Sequence, residues 1–306
     1  MILIITHKQD YTADFIINKL NTAGIPYYRF NCEDILTEPL YTISSQNDLE
    51  TILGNDNLIT SIWYRRTQNP EITALSVEER FYFNNEVESL IENICCSLED
   101  KIWLSDPFSI KRAENKIIQL RIAASLGFDI PKTLVTNSKT EIVNFFNSNL
   151  KTVIKPLHSG YVPANNETSL FFTSVLTTEN IIDLENYDLS PCIFQNYIEK
   201  EYELRITVVN DAVFPAKVDS QKHEESIIDW RRAKQQFVKC DIPEDLRHKC
   251  ISLCRSLNIN FGAIDIIKQK NGGYVFLEIN PNGQWAWIEI DTGLPISEAI
   301  INFLKN

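Results

Sequence analysis

The chain has 306 residues, of which 44% are hydrophobic and 23% charged, so it is a folded chain with room for two or three subdomains and not a disordered one. A net charge of −12 argues against nucleic acid as a principal partner, because a phosphate backbone demands a basic surface. No apolar run is long enough to span a bilayer, so no membrane partner is expected. Met1-Ile-Leu-Ile-Ile-Thr6 lacks the basic start of a signal peptide and reads as a buried first strand. Seven cysteines, an odd number without a secretion signal, predict free thiols in a reducing cytoplasm.

In chain order, residues 2–6 predict a strand, 12–23 a helix stopped by Gly24 and Pro26, and 27–30 and 59–64 two more strands. Residues 84–98 predict a helix with Val87, Leu90, Ile91, Ile94 and Leu98 on one face. This alternation describes a small α/β layer with a parallel sheet. Trp63, Trp103 and Phe81-Tyr-Phe83 belong either to its core or to the apolar patch that a dimer would need.

A second unit opens near Ser109, with a helix over 113–126, a strand over 133–136 and a short helix over 140–147. Strands over 151–156, 170–176 and 193–197 complete an α+β lobe. The third unit has two β-rich runs, 204–209 and 212–218, around an Asn210-Asp211 turn. A polar stretch over 219–239, a helix over 243–257, a hairpin and a last helix over 297–304 follow. Leu246, Cys250, Leu253, Cys254 and Leu257 form the buried stripe of an amphipathic helix. A metal held by Cys250, Cys254 and His248 is the other account of those cysteines.

The hairpin carries the chemistry. Asp265 sits in the apolar run Gly262-Ala-Ile-Asp-Ile-Ile267, and Glu278 and Asn280 end the run Tyr274-Val-Phe-Leu-Glu-Ile-Asn280. The intervening Lys268-Gln-Lys-Asn-Gly-Gly273 is a turn signal. Strand period two puts Glu278 and Asn280 on one face, and the hairpin can bring Asp265 onto it. A charge inside an apolar strand is costly unless it is paired or bound to a metal, and three hard oxygen ligands suit Mg²⁺. An ordinary solvent-facing edge strand is the plainer alternative.

Lys155 ends the apolar run Val153-Ile-Lys155, where it either reaches an anionic phosphate or points to water. Lys116 opens a helix beside Asn115, a place where a cation opposes the helix dipole unless an anion is bound. Neither a Walker loop nor Gly-x-Gly-x-x-Gly is present. The segment Phe194-Gln-Asn-Tyr-Ile-Glu-Lys-Glu-Tyr-Glu-Leu-Arg205 reads as a strand-like hinge with Glu203 as a hydroxyl acceptor, or as a charged turn. Arg205, Lys217 and Arg231 supply positive charge suited to a transferred phosphate, and Asp229-Trp-Arg-Arg232 is also readable as a surface turn with a buried tryptophan.

The order Lys116, Lys155, the hinge from Gln195 to Arg205, Asp265 and Glu278-Ile-Asn280 resembles the ATP-grasp superfamily over residues 109–306. Within it, Asn115-Lys-Ile-Ile-Gln-Leu-Arg-Ile-Ala-Ala-Ser-Leu-Gly-Phe-Asp-Ile-Pro-Lys-Thr133, Lys217-Val-Asp-Ser-Gln221 with Asp229-Trp-Arg231, and Asn280-Pro-Asn-Gly-Gln-Trp285 resemble the graspetide (microviridin-type) macrocyclases, including the branch paired with radical SPASM partners. The Asn-Pro-Asn-Gly-Gln run departs from that group's usual Asn-Pro-Ser-Gly-Gln, and His158-Ser-Gly160 is poorer in glycine than many phosphate-covering loops. The resemblance implies an α+β fold: two lobes, 109–198 and 199–306, clamping ATP after a small α/β pre-ATP-grasp domain, 1–108. It implies that Lys116 and Lys155 hold ATP phosphates, that Gln195, Tyr197 and Ile198 line the adenine hinge, and that Glu203 binds ribose. Asp265, Glu278 and Asn280 would bind Mg²⁺, while Arg205 and Arg231, with Lys217, would serve the transferred phosphate. The implied partner is a ribosomal precursor peptide with a leader and an acidic core, whose Asp or Glu side chains are joined to Ser, Thr or Lys, and the implied assembly is a homodimer. A ligase that adds an amino acid to a protein or metabolite would share the nucleotide site.

Overall fold

The computed structural model describes residues 1–36, 43–44, 50–51, 58–158, 161–164, 167–184 and 190–305. Its first strand, β1 (Ile2–Thr6), is buried at all five positions, as a strand covered on both faces must be. Asp10 caps α1 (Tyr11–Thr22) by accepting the backbone N–H groups of Thr12 and Ala13. The helix gives way to Gly24 at φ +64° and then to β2 (Tyr27–Asn31). A small antiparallel hairpin, β3 (Ile43–Ser44) with β4 (Glu50–Thr51), precedes β5 (Ser61–Tyr64), α2 (Val77–Ser97) and β6 (Ile102–Trp103). Strands β2-β1-β5-β6 make a wholly parallel sheet, as the alternating signals predict. Helix α2 starts before residue 84 because Ser76 and Glu79 close a capping box ahead of the apolar stripe.

The helix expected over 113–126 is two: α3 (Pro107–Ala113) and α4 (Lys116–Ser125). Asn115 breaks the run, since its side chain takes the N–H groups of Ile117 and Ile118 and so starts a new helix. Next come β7 (Thr133–Thr136), α5 (Lys139–Asn147), β8 (Thr152–Pro156), the hairpin β9 (Tyr161–Ala164) with β10 (Glu167–Leu170), β11 (Ser174–Leu176), α6 (Thr178–Asp183) and β12 (Cys192–Asn196). The strand expected over 170–176 is thus the end of β10 and, separately, β11, which pairs with β8. The antiparallel order is β11-β8-β12-β7. Of the short loop His158-Ser-Gly160, Ser159 and Gly160 lie outside the described residues.

The last sheet is antiparallel, in the order β15-β14-β13-β16-β17, from β13 (Lys200–Val209), β14 (Ala212–Val218), β15 (Val238–Lys239), β16 (Phe261–Gln269) and β17 (Tyr274–Asn280). Helix α7 (Glu244–Ser256) precedes β16, and α8 (Ala286–Thr292) and α9 (Ile296–Lys305) follow β17. One sheet face carries Leu204, Ile206, Val208, Ile264, Ile266 and Phe276 against Leu120, Leu253 and Cys254 of α4 and α7. Cys250 and Cys254 therefore lie in the buried helix stripe while His248 is exposed beside Glu244, and among the described residues no group of three or more His, Cys, Asp or Glu side chains could hold a metal.

The other face joins Val209, Ala216 and Phe261 to Trp285, Ile300 and Leu304 of the C-terminal helices and to Ile2, Ile4 and Ile16 of the N-terminal layer. Polar contacts reinforce this seam, with Lys19 Nζ 2.5 Å from Glu289 Oε1 and the Ser61 hydroxyl donating to the Leu304 carbonyl at 2.5 Å. Trp63 is core and Trp103 is half-buried, but Phe81 and Tyr82 stand exposed on α2. Among the described residues no helix is long and apolar enough to cross a membrane.

Candidate active site

Three strands place three charges in a row. Arg205 of β13 lies opposite Asp265 of β16, and Asp265 lies opposite Glu278 of β17. The β16–β17 register shifts just past Asp265, and period two then sets Asn280 on the face of Glu278. Arg205 Nη1 donates to both oxygens of Asp265 at 2.8 and 2.7 Å, and Asn280 Nδ2 donates to Asp265 Oδ2 at 3.2 Å. The sequence-predicted trio is therefore one cluster, and Arg205 joins it.

Two lysines reach the cluster from other elements. Lys116, first residue of α4, has its Nζ 3.3 Å from Glu278 Oε2 and donates to the Pro156 carbonyl at 3.3 Å. Lys155 of β8 also feels Glu278: burial pushes its ammonium below the usual lysine range, and Glu278 only partly opposes this. Burial works against the charge of Glu278 too, but Lys116, Lys155 and Arg231 outweigh it and hold this carboxyl down at about 2. Asp265 moves the other way, up to about 6, because burial and the facing Glu278 outweigh Arg205. Two facing carboxyls divided in this way titrate as a pair.

Arg231 is clamped by Asp229, with Nε–Oδ1 at 2.8 Å and Nη2–Oδ2 at 2.5 Å, which raises its pKa further. Asp229 also accepts the Thr173 N–H at 3.2 Å, and Arg232 donates to the Thr173 carbonyl at 2.9 Å, so this segment bridges two sheets. Trp230 packs on Phe237 and Trp287 and fixes the turn from behind.

Of the hinge residues, Gln195 is buried and donates to Thr133 Oγ1 at 2.9 Å. Tyr197 gives its backbone N–H to the Lys151 carbonyl at 2.8 Å, and the Lys151 ammonium sits 3.9 Å from its ring centroid. Ile198 follows, half-buried. Glu203 lies two residues from Arg205 on the same face and accepts from buried Lys200 at 2.8 Å. Burial first, and then Glu203, pushes the Tyr197 phenol up, which places Glu203 beside the hinge.

Lys217 does not join the others. It pairs with Leu204, so it is on the face opposite Arg205, where its Nζ lies 5.3 Å from the Tyr202 ring. The expectation of a catalytic Lys217 is corrected by this register, which puts Ala216 beside Arg205.

The sequence reading missed two residues that hold the site together. Gln119 of α4 is buried, donates to the Ile279 carbonyl at 2.8 Å and accepts the Ile279 N–H at 3.1 Å. It fastens the helix of Lys116 to the strand segment between Glu278 and Asn280. Arg65, just past β5, donates to Asn282 Oδ1 at 2.9 Å. Its one sequence signal is a charge at the carboxyl end of an apolar parallel strand, where such sheets place functional groups.

Two adjacent carboxylates and an amide oxygen are an all-oxygen donor set for a hard divalent cation, with room in its shell for water and phosphate oxygens. The donor set fits Mg²⁺, and the cations around it fit an anionic substrate. The comparisons agree with this chemistry. A RimK-like ATP-grasp domain matches residues 113–304, and an MvdD pre-ATP grasp domain matches residues 1–111. The chain belongs to the ATP-grasp ligases. This ATP-grasp ligase is similar to a RiPP-associated ATP-grasp ligase from Chryseobacterium gregarium, solved with ADP and a leader and core peptide, at a TM-score of 0.86 and 27% identity over 99% of this chain and 96% of that one. It is also similar to the macrocyclase MdnC from Microcystis aeruginosa MRC, solved with precursor peptide MdnA, at a TM-score of 0.85 and 27% identity over 100% of this chain and 99% of that one. A glutathione synthetase of Buchnera aphidicola is 33% identical over 191 residues, which cover 58% of this chain and 54% of that protein.

Proposed function

We propose that this ATP-grasp ligase activates Asp or Glu side chains of a ribosomal precursor peptide and closes them onto Ser, Thr or Lys of the same peptide as ω-ester or ω-amide rings. The units 109–198 and 199–306 act as the clamp on ATP, and 1–108 as the layer in front of it. Lys116 and Lys155 hold the phosphates; a bound phosphate also opposes the downward push that burial gives the Lys155 ammonium. Gln195, Tyr197 and Ile198 flank the base. Glu203, oriented by Lys200, accepts from ribose. Asp265, Glu278 and Asn280 hold Mg²⁺, which when bound spreads the charge of the phosphates in transfer.

A peptide carboxylate oxygen attacks the γ-phosphorus and ADP departs, leaving an acyl-phosphate. The hydroxyl or amine then attacks the acyl carbon and expels phosphate. Arg205, held in place by Asp265, and Arg231, held by Asp229, stabilise the oxygens that gain charge. No side chain needs to become covalently attached, so catalysis is positioning and electrostatics. The reading includes a homodimer, for which Val77, Phe81 and Tyr82 offer an exposed apolar stripe on α2.

The observation that carries the proposal is the Arg205–Asp265–Glu278 row ringed by Lys116, Lys155 and Arg231. Its support is a likeness, over nearly the whole chain, to two proteins solved with peptides bound. Peptide-dependent ADP release tests it. Release should rise when the short acidic peptide encoded beside the gene is added, and Glu278→Gln should lower it by about 100-fold or more, a loss of about 3 kcal/mol of transition-state stabilisation. Release driven by a free amino acid and indifferent to the peptide would favour the amino-acid-adding ligase instead.

A further inference from the structure

Arg65 has 1% exposure, and it is among the largest fully buried side chains of the protein. A buried guanidinium persists only where its donors are met. Its Nε lies 3.1 Å from Asp10 Oδ2, its Nη1 donates to Asn282 at 2.9 Å, and its Nη2 reaches Gln284 Oε1 at 3.4 Å. Gln284 accepts from the Thr12 hydroxyl as well. Asp10 is fixed in turn by the Thr6 hydroxyl at 2.9 Å and by its cap on α1. One N-terminal layer thus grips two of the three side-chain amides of the segment 280–285, those of Asn282 and Gln284.

The far side of that segment is the active site. A Cβ built on Gly283 would lie 3.0 Å from Arg205 Nη2 and 3.1 Å from the Asn280 Cβ. The loop is therefore pinned between Arg65 on one side and Arg205 with Asn280 on the other.

We propose that Arg65 is a positioning residue, reaching from the N-terminal layer through Asn282 and Gln284 to set the orientation of Asn280 toward the divalent cation. It touches neither substrate nor metal. Its fork matters because one planar group meets Asp10, Asn282 and Gln284 at once, which an ammonium does with less directional control. This inference rests on the metal role of Asn280 in the proposed function.

The test uses the full chain with ADP and titrated Mg²⁺, reading the rise in melting temperature that Mg²⁺ produces. Electron paramagnetic resonance of Mn²⁺ gives occupancy independently of turnover. Asn282→Ala leaves the Arg65–Asp10 pair whole but takes the acceptor from buried Arg65 Nη1, so its melting temperature without metal should fall modestly and the effect of Mg²⁺ is read from that lower baseline. Its half-maximal Mg²⁺ should rise about tenfold. Arg65→Lys should give a similar rise, and combining the two should add little, because both cut one link. An unchanged Mg²⁺ requirement in Asn282→Ala, or rises that multiply in the double variant, would overturn the positioning role while the nucleotide reading stood. A wild-type chain with no Mg²⁺-dependent shift would refute the nucleotide reading itself, and this inference with it.

Discussion

Gly283, in the turn after β17, lies close against the arginine of the site. An added Cβ would meet Ala263 Cβ at 3.0 Å and Arg205 Nη2 at 3.0 Å, so either the guanidinium or the turn must move. Gly283→Ala is expected to lower peptide-dependent ADP release by about tenfold or more, since small displacements of catalytic groups are costly, while the fold survives. Unchanged release would mean that Arg205 tolerates displacement and does not act on the transferred phosphate. Asp265 and Glu278 stand out because carboxylates inside apolar strands need a reason to be there, and Asn280 because strand period two puts it on the face of Glu278. Lys217 was misread because composition cannot fix cross-strand register, and a shift of one residue exchanges the two faces of a strand. Arg65 and Gln119 went unnoticed because polar residues beside an apolar strand or within a helix look like ordinary surface. Only their long-range partners, Asp10 and Ile279, give them meaning.

Helix α4 is the element that ties the lysine side of the site to the carboxylate side. Lys116 opens it, and Gln119, one turn later, pairs with both backbone groups of Ile279. Gln119→Ala would take the partner from one N–H, of Ile279, and two C=O groups, of Ile279 and Ala113, at about 1 kcal/mol or more each. The expected outcome is a loss of about 2–4 kcal/mol in denaturant unfolding, together with weaker ADP binding as Lys116 drifts from Glu278. A loss below about 0.5 kcal/mol would show that water meets those groups, and the coupling of α4 to β17 would fall. Long periodic elements were legible in the sequence: α1, α7, the β16–β17 hairpin and the parallel alternation of the first layer. Local capping decided the rest. Asn115 splits one predicted helix, and the Ser76–Glu79 box extends another through Phe81 and Tyr82, ahead of its buried residues, which begin at Val87. Helix α8 was not anticipated: it is seven residues long and ends at Gly293 in the left-handed conformation.

At the scale of the whole molecule, the N-terminal layer and the last sheet share one apolar cluster through α8, α9 and α1, and the turn after β17 lies at that junction. The lobe of β7, β8, β11 and β12 has its own cluster around Ile142, Leu176, Leu184 and Phe194. It meets the last sheet's side through Thr173 with Asp229 and Arg232. Carboxylates and Arg205 thus sit on one body and Lys155 on another, so the proposed phosphate site draws on both. The central claim is that this assembly closes rings in a peptide. The most direct measurement is the mass of the adjacent precursor peptide after incubation with the protein, ATP and Mg²⁺. The account predicts the loss of one water per ring, dependent on ATP and abolished by Glu278→Gln. A peptide that keeps its mass while ATP is consumed, or that gains the mass of an amino acid residue, would contradict it.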